Sequence, residues 1–409
     1  MNPFRKIAGG FSAMARVFGN ELRTIIHDPG VLLFFVALPL VYPIIYTLIY
    51  NEELVREIPV AVVDNSMTAE SRQLVRMASA SPTIEIYAQC PNMADAKRLM
   101  AERKVFGIME IPANYSKEIG NGRSAHVTFY SEMSRLLRYR DFVSALADLQ
   151  IEMTGEIAKQ RIENAGMESF LSAEASLPVR SQSNFLGDTQ QGFASFVIPG
   201  ILILILQQSM LLGIAMLAGT SRERRRRNGG IDPLGVVAPP LATVWGRTLC
   251  YTTVYAAFTL YDLHIVPLMF NLPHFGSATE YLPFILPMLL ATAFLGQSLA
   301  PFMRERESPF ILIVATSVVF LFISGLTWPR YAMMPLWRAL GDIIPATWGI
   351  EGFVRINNNA ATIADNTRPY LWLWGLTVLY MCTAIAAQML IERRENRKRT
   401  QCAGSSQVD

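Results

Sequence analysis

The stretch FASFVIPGILILILQQSMLLGIAMLAGTSRERRRR, residues 193–227, decides the fold of this chain. No charged residue occurs from Thr189 to Ser221, and most of that run is aliphatic, aromatic or small. A helix rises about 1.5 Å per residue, so roughly 20 apolar residues cross a bilayer and this run crosses it with residues to spare. The run ends at Arg222-Glu223-Arg224-Arg225-Arg226-Arg227. Arginines beside the end of a span indicate its cytoplasmic side.

The composition indicates an integral membrane protein. Of the 409 residues, 51% are hydrophobic and 17% are charged, whereas soluble proteins carry about 25% charged residues. The net charge is only +3 and the basic residues cluster beside apolar runs, so we expect no nucleic-acid partner. Cys90 is the only cysteine of the large polar region, which predicts no disulfide there. We expect no cleavable signal peptide, because the first apolar run is too long and Asn51-Glu52-Glu53 follows it.

Residues 1–28 are predicted to form a cytoplasmic amphipathic helix. Apolar residues recur at helical spacing between residues 11 and 27. They are Phe11, Met14, Ala15, Phe18, Leu22 and Ile25. Because this helix adjoins a span, we expect it at the membrane interface; a solvated helix without a special role is the alternative. Residues 29–51 are uncharged and form the first predicted span, kinked or tilted at its prolines.

Residues 52–190 are predicted to form an extracytoplasmic α/β domain. Four segments with strand character occur at 58–63, 83–87, 105–111 and 125–130, and helical patterns lie between them. This alternation predicts a small, at least partly parallel sheet. A long helical pattern follows and is expected to continue past Gly166 as a stalk that returns to the membrane. Asp64-Asn65-Ser66, after the first strand, is either a ligand turn or a local cap.

Five further spans are predicted within residues 191–391, at about 193–219, 244–270, 281–303, 308–326 and 369–391. Only 14 uncharged residues separate Arg247 from Asp262, so the third span holds Asp262 within or near its outer half. Residues 327–368 contain three tryptophans and are expected to form short helices at the outer face. Residues 392–409 read as a basic cytoplasmic tail.

The predicted fold class is an α-helical polytopic membrane protein with six transmembrane helices and an inserted α/β extracytoplasmic domain. With six spans, every basic cluster falls on one face, which the positive-inside rule makes cytoplasmic. We therefore expect a multi-pass membrane protein with both termini in the cytoplasm. The 52–190 domain then lies outside, where long translocated domains are exempt from the charge count.

Polar residues within the predicted spans are candidate site residues. Gln207 and Gln208 lie at the centre of the second span, where they either hydrogen-bond between helices or line a substrate path. Asp262 and His264 either act as intramembrane ionisable groups or lie in water at the outer interface. No metal-binding or Ser/His/Asp constellation stands out, so we expect neither a metal nor enzymatic activity in this chain.

The order of these features resembles the type-2 family of ATP-binding-cassette (ABC) exporter permeases, over nearly the whole chain. A charged loop and a glycine turn, Arg222-Glu223-Arg224 and Asn228-Gly229-Gly230, follow the second span. After the fifth span come Ser324-Gly325, Trp328-Pro329, Pro335 and Pro345-Ala346-Thr347.

The resemblance implies roles for two groups of residues. The charged loop and the N-terminal helix would dock on a cytoplasmic ABC ATPase, through Arg222, Glu223, Arg224, Arg225, Arg16 and Arg23. The segment after the fifth span would border the outer gate, which adds Ser324, Gly325, Pro329 and Pro345 to the path candidates Gln207, Gln208 and Asp262. The alternative for the arginine cluster is that it only fixes topology and contacts anionic lipid.

The sequence contains no Gly-x-x-x-x-Gly-Lys-[Ser/Thr] motif, so we expect this chain to bind no cofactor and a partner ATPase to use ATP and Mg²⁺. The resemblance also implies a second permease chain, identical or related, and allows a periplasmic adaptor. The activity and location that the resemblance implies are export of an amphipathic or hydrophobic substrate across the bacterial inner membrane. Two other classes stay open: a membrane-anchored sensor or assembly protein with a ligand-binding outer domain, and an ion-coupled secondary transporter, which would show inverted repeats and several buried charges.

Overall fold

The computed structural model describes residues 3–50, 56–133, 136–166, 192–229 and 232–405. This part of the chain divides into two units, one within residues 54–184 and one formed by residues 1–53 together with 185–409. The second unit begins with helices α1 (Pro3–His27) and α2 (Pro29–Ile49). A π-helical segment, Leu33–Ala37, lies within α2.

The first unit is built on a four-stranded sheet. Its strands are β1 (Ile58–Asp64), β2 (Ile84–Gln89), β3 (Gly107–Ile111) and β4 (Thr128–Ser131), in the order β2-β1-β3-β4. β1 runs parallel to β2 and β3, whereas β4 runs antiparallel to β3. Each strand overlaps one of the four predicted segments, because a short apolar run ended by turn residues is a local signal.

Helices cover both faces of this sheet. They are α3 (Ala69–Ala80), α4 (Met93–Ala101), α5 (Tyr115–Gly120) and α6 (Leu136–Asn164). Alternate residues of β1 face opposite sides, as strand geometry requires. Val60 and Val62 join a core with Leu74 of α3 and Phe142 of α6, whereas Ala61 and Val63 join a second core with α4. The predicted continuation of α6 past Gly166 lies outside the described residues.

Asp64, at the end of β1, is a local cap. One carboxyl oxygen accepts hydrogen bonds from the backbone N–H groups of Ser66 and Met67, both at 3.0 Å. The other accepts from the hydroxyl of Ser71, at 2.7 Å. These bonds support the local interpretation of Asp64-Asn65-Ser66, because the carboxylate closes the turn that leads to Thr68, the N-cap of α3.

The second unit is helical and is organised around α7 (Phe193–Arg227). The remaining helices are α8 (Pro240–Leu260), α9 (Ala278–Leu299), α10 (Ala315–Ile323), α11 (Pro335–Asp342), α12 (Pro345–Asn359) and α13 (Thr367–Ser405). In its most apolar stretch α7 is 83% buried, against 22% for α2 and for α13. It packs against α2, α8, α9 and α12, and is therefore the central helix.

Four helices in the described residues are long and apolar enough to cross a membrane. They are Pro29–Ile49, Ala194–Arg227, Ala278–Phe302 and Thr367–Arg394. The predicted third span, 244–270, corresponds to α8 followed by a π-helical segment at Tyr261–Ile265 and a last turn at Val266–Met269. Helical structure there begins earlier than predicted, at Pro240, because proline is favoured in the first turn of a helix.

The predicted fifth span, 308–326, is shorter than expected. Helical structure there covers the 16 residues 308–323, with a π-helical segment at Phe310–Val314, and extends about 24 Å at 1.5 Å per residue, less than the roughly 30 Å of a hydrocarbon core. The chain leaves the helix at Gly325, whose φ of +94° suits glycine. Two other boundaries also differ, since α7 extends from the predicted 219 to Arg227 and α13 continues through the predicted tail to Ser405.

The buried face of α1 differs from the predicted stripe. Ala13, Val17, Glu21 and Ile25 are buried, at four-residue intervals, whereas Phe11 is 64% exposed. The face is set by the neighbour, α8, because a Cβ atom on Gly246 would stand 2.8 Å from the backbone oxygen of Met14. This close crossing turns the face with Ala13, Val17 and Glu21 inward.

Candidate functional site

The end of α7 that carries residues 222–227, here called the arginine end, is tied to other segments of this chain. Arg222 Nη1 donates hydrogen bonds to the carbonyl oxygens of Pro301 and Met303, both at 2.9 Å. Glu223 Oε1 accepts from the backbone N–H of Arg306, at 2.8 Å. These bonds fix the end of α7 to the segment that follows α9.

Arg224 forms an ion pair with Asp232, with 3.1 Å between Nε and Oδ1. Asp232 also accepts hydrogen bonds from the Ser221 hydroxyl, at 2.6 Å, and from the backbone N–H of Leu234, at 3.1 Å. Burial alone would raise the pKa of Asp232, but the hydrogen bonds from Arg224 and Ser221 outweigh burial and hold that pKa below its usual value. Asp232 therefore stays ionised at neutral pH and compensates Arg224.

Helix α1 is attached to the same end through a buried acid, Glu21. The Tyr251 hydroxyl donates to its Oε1, and Arg247 Nε lies 3.4 Å from its Oε2. Arg306 pairs with Asp28, at the start of α2. Sequence reasoning missed Glu21, which is not part of the predicted apolar stripe of α1; its spacing of four residues from Val17 and from Ile25 was the available signal.

The six predicted ATPase-contact residues therefore divide into two groups. The side chains of Arg222, Glu223 and Arg224 contact this chain itself, and Arg225 is partly buried beside them. Arg16 and Arg23, on α1, are exposed.

The centre of α7 is hydrogen-bonded to its neighbours. Gln207 Oε1 accepts from the backbone N–H of Ala346, at 2.6 Å, which joins α7 to the Pro345-Ala346-Thr347 motif at the start of α12. This is the interhelical bond that the sequence allowed. Gln207 Nε2 and both side-chain amide atoms of Gln208 are buried and have no hydrogen-bond partner among the described residues.

Ser209 extends these connections to α8 and α2. The Tyr255 hydroxyl lies 3.0 Å from Ser209 Oγ and 3.2 Å from the carbonyl oxygen of Phe35. Hydrogen bonds of the Tyr255 hydroxyl thus connect α2, α7 and α8 within an apolar core. Such interhelical bonds stabilise packing where side chains are otherwise apolar.

Ser324 and Gly325 turn the chain against α7. The Ser324 hydroxyl donates to the carbonyl oxygen of Leu321, at 2.8 Å, and Gly325 allows the turn through its positive φ. Leu326 then packs so closely on Gly200 of α7 that a Cβ atom there would lie 2.6 Å from Leu326 Cδ1. The Ser-Gly motif is therefore the point at which the chain leaves α10 and returns to the central helix.

Pro329 and Pro345 lie on either side of a compact turn. Arg330, which follows Pro329, pairs with Asp342 and with Glu351, the latter at 3.2 Å. Its guanidinium lies 4.4 Å from the ring centroid of Trp348, a favourable cation–π geometry. The structure thus brings Gln207, Ser324, Gly325 and Pro345 to the same side of α7, with Pro329 joined to them through Arg330.

Asp262 is fully buried, and neither of its carboxyl oxygens has a hydrogen-bond partner in the described part of the chain. It lies in the π-helical segment Tyr261–Ile265, which packs against α2 and α7. Asp262 therefore lies in the interior of the protein and not on its surface. The sequence could not decide this, because the end of α8 was uncertain by several residues.

His264 belongs to a separate network that the sequence did not indicate. Its Nδ1 lies 3.0 Å from His274 Nε2, and His274 Nδ1 lies 2.6 Å from Asn357 Oδ1. Asn357 Nδ2 also donates to the carbonyl oxygen of Pro273, at 3.1 Å. His264 and His274 are only ten residues apart, but Asn357 lies 83 positions after His274, so the sequence gave no signal for this network. No group of three or more His, Cys, Asp or Glu that could hold a metal is present in the described residues.

Comparison with known proteins identifies the class of protein to which this arrangement belongs. A family model described as ABC-2 family transporter protein matches residues 29–386. The chain therefore belongs to the ABC-2 family, and it is a membrane permease subunit of the ABC transporter type, which is not itself catalytic. This confirms the family resemblance. No curated protein matches the chain.

Proposed function

We propose that this chain is the membrane-spanning subunit of an ATP-driven exporter that moves an amphipathic or hydrophobic substrate out across the bacterial inner membrane. The observation that carries the proposal is the family match over residues 29–386. Because the sequence has no phosphate-binding loop, a separate ABC ATPase would bind ATP with Mg²⁺ and hydrolyse it.

The positions of the basic residues support the proposed orientation. The contacts of Arg222 with Met303 and of Arg306 with Asp28 gather the basic segments around residues 222–227 and 304–306 at one end of the helices. The positive-inside rule would make this end cytoplasmic, together with both termini. Six crossings result if α8 with its π-helical segment and the Phe310–Ile323 segment cross as well. The α/β unit would then face the periplasm, where an adaptor could meet it.

Exposed apolar side chains support both a membrane location and a second permease chain. Large hydrophobic residues are exposed along α2, along the segment that ends in α10 and along α13. Examples are Leu48, Ile311, Phe322 and Leu379. Exposed apolar area of this extent is covered by lipid or by another chain. We propose that part of it is covered by a second copy or a close relative.

The proposed substrate path follows α7 toward the Ser-Gly turn. The interior here is otherwise apolar, but it holds the buried carboxyl of Asp262 and the amide atoms of Gln207 and Gln208 that find no partner within the described part of the chain. A polar group on an amphipathic substrate would satisfy them. Ser324, Gly325, Pro329 and Pro345 would form the gate, since here the backbone breaks next to the central helix.

Coupling to the ATPase is proposed to enter at the arginine end. The exposed Arg16 and Arg23 would meet the ATPase. Glu223 and Arg224 would transmit its movement, because they fix α7 to the segment after α9 and to Asp232. Force applied at that end would therefore reach the central helix without a flexible joint.

A paired substitution tests this function. We expect Glu223→Ala with Arg224→Ala to leave an inserted, folded protein whose export and whose stimulation of ATP hydrolysis are both lost or greatly reduced. The assay is vanadate-sensitive, ATP-dependent uptake of an amphipathic fluorescent dye by inside-out vesicles that contain the chain and its ATPase. Insertion should persist, because Arg225, Arg226 and Arg227 still satisfy the positive-inside rule.

The matched control is Arg304→Ala with Glu307→Ala. It also removes one basic and one acidic side chain at this end, and both are exposed. The control should export normally. Normal export by the Glu223 and Arg224 variant would contradict the coupling role, and no ATP-dependent uptake by the unaltered protein with its ATPase would contradict the export function.

A further inference from the structure

An open cavity of about 960 Å³ lies at the arginine end of the helical unit. Residues of α1, α7, α8, α9 and α13 line it, together with residues between 232 and 236. We call it the basic cavity. Its volume is within the range of about 300–1,000 Å³ that is typical of small-molecule sites. Its polar wall includes Asn20, Thr24, Thr243, Gln297 and Gln388.

Positive charge predominates in the basic cavity. Among the described residues, six arginines and two carboxylates line it. Both carboxylates already have an arginine partner, since Glu21 pairs with Arg247 and Asp232 pairs with Arg224. The lining therefore holds more guanidinium charge than its own carboxylates compensate.

The excess positive charge is carried by arginines other than Arg224 and Arg247, and three of them can be placed. Arg222 donates to two backbone carbonyl oxygens, which carry no net charge. Arg226 has Glu305 at 3.8 Å, but that carboxylate is 65% exposed and lies outside the lining. Arg226 and Arg394 are close enough to Arg222 for their charges to act on it. Like charges held together in a cleft attract a counter-anion.

The form of the cavity indicates the class of anion. A guanidinium is planar and donates paired hydrogen bonds that match the oxygens of a phosphate group. The lining also contains apolar side chains, among them Val17, Ile214, Leu217, Val244 and Ile391. We propose that the basic cavity binds a phosphate-bearing ligand, with the phosphate against Arg222, Arg226 and Arg394 and the apolar part against these apolar side chains. A phospholipid headgroup and a free phosphate ester share this chemistry.

Equilibrium binding to the purified full chain in a non-ionic detergent tests the proposal. The probes are glycerol 3-phosphate, as a free ester, and dihexanoyl phosphatidic acid, as a lipid, titrated by calorimetry. Arg226→Gln with Arg394→Gln should weaken binding by about tenfold or more, because charge-assisted contacts to phosphate are lost. Neither the ATPase nor export enters this measurement, so its result is independent of the proposed function.

The matched control is Arg227→Gln with Arg393→Gln. It removes the same charge from the same two helices, one residue away, and neither residue lines the cavity. At physiological salt, which screens exposed charges, its affinity should stay within about twofold of the original. Binding of the lipid probe alone would identify a headgroup site, and equal binding of both probes a site for free esters; either supports the proposal. Binding of neither probe, or equal weakening by the two pairs, would overturn it.

A second measurement leaves every arginine in place. Single cysteines are introduced by Thr24→Cys and by Ser12→Cys in a background without the native cysteines. Residue 24 lines the basic cavity, whereas residue 12 is on the same helix, exposed and outside the lining. The bound probe should slow maleimide labelling at position 24 and leave the rate at position 12 unchanged. An unchanged rate at position 24 at saturating probe would contradict the proposed site.

Discussion

Asp262 is expected to lower the stability of the folded protein, and a role in transport would explain why such a residue is present. Its carboxyl group is fully buried and has no hydrogen-bond partner among the described residues. Burial of a polar group without a partner costs roughly 1–3 kcal/mol in proteins. Ionisable residues inside membrane segments are otherwise rare and tend to mark substrate or ion pathways. We therefore keep Asp262 on the proposed path.

This interpretation predicts opposite effects on stability and on transport. Asp262→Ala should raise the midpoint of thermal unfolding in detergent by about 2–4 °C for each kcal/mol recovered. Asp262→Asn should impair export while leaving insertion intact, because the amide can neither take up nor release a proton.

The comparison variant is Asn357→Ala. Asn357 makes hydrogen bonds to His274, Pro273 and Asn358, so its loss should lower the midpoint. If Asp262→Ala lowers the midpoint as well, the carboxyl has a stabilising partner; if Asp262→Asn exports normally, Asp262 has no place on the path.

For single residues, the sequence predicted which ones are unusual but did not predict their contacts. Gln207 and Asp262 stand out because each interrupts an apolar run. Glu21 does not, since a glutamate on an amphipathic helix is ordinary. Its contacts with Tyr251 and Arg247 depend on a neighbour more than 220 positions away, which no local pattern encodes.

Among the secondary-structure elements, the crossing of α1 and α8 depends on one glycine. A Cβ atom on Gly246 would stand 2.8 Å from the Met14 backbone oxygen and 2.9 Å from Val17 Cβ. Contacts this short cannot be relieved by rotation of a flexible side chain, because a backbone atom is involved. The crossing in turn places Glu21 beside Arg247.

We therefore predict that Gly246→Ala destabilises the protein by about 1–3 kcal/mol, as overpacking of a close contact does. Thermal unfolding in detergent measures the change. Gly375→Ala is the matched control on α13, where nothing lies within 4 Å of an added Cβ atom. It should be neutral or slightly stabilising, because alanine is favoured over glycine in a helix. Equal midpoints for the two variants would show that α1 does not pack this closely on α8.

The sequence predicted the elements better than their faces. Strands and most helices were found, because apolar periodicity and turn residues are local signals. The fifth predicted span was too long, since apolar residues continue to Leu326 while Gly325 already ends the helix. The predicted apolar stripe of α1 is not the face that is buried. The buried face is determined by packing against α8, which the sequence of α1 alone does not encode.

In the whole molecule, the contacts at the arginine end account for how ATP-driven work could reach a chain with no phosphate-binding loop. Arg222, Glu223 and Arg224 fix the central helix to two other segments at that end. The opposite part of α7 carries Gln207 and meets Ser324-Gly325-Leu326 through Gly200. One continuous helix of 35 residues thus joins the proposed coupling surface to the proposed gate.

We propose above all that this chain is a permease and that a separate ATPase supplies the energy for transport. The most direct measurement is photolabelling with 8-azido-ATP and Mg²⁺ of the complex purified through a tag on this chain from its native membranes, with vanadate-sensitive hydrolysis measured on the same sample. We expect that hydrolysis is present and that the label is found on a second polypeptide containing a phosphate-binding loop. Labelling of this chain itself, or a complex without ATP hydrolysis or a labelled partner, would contradict it.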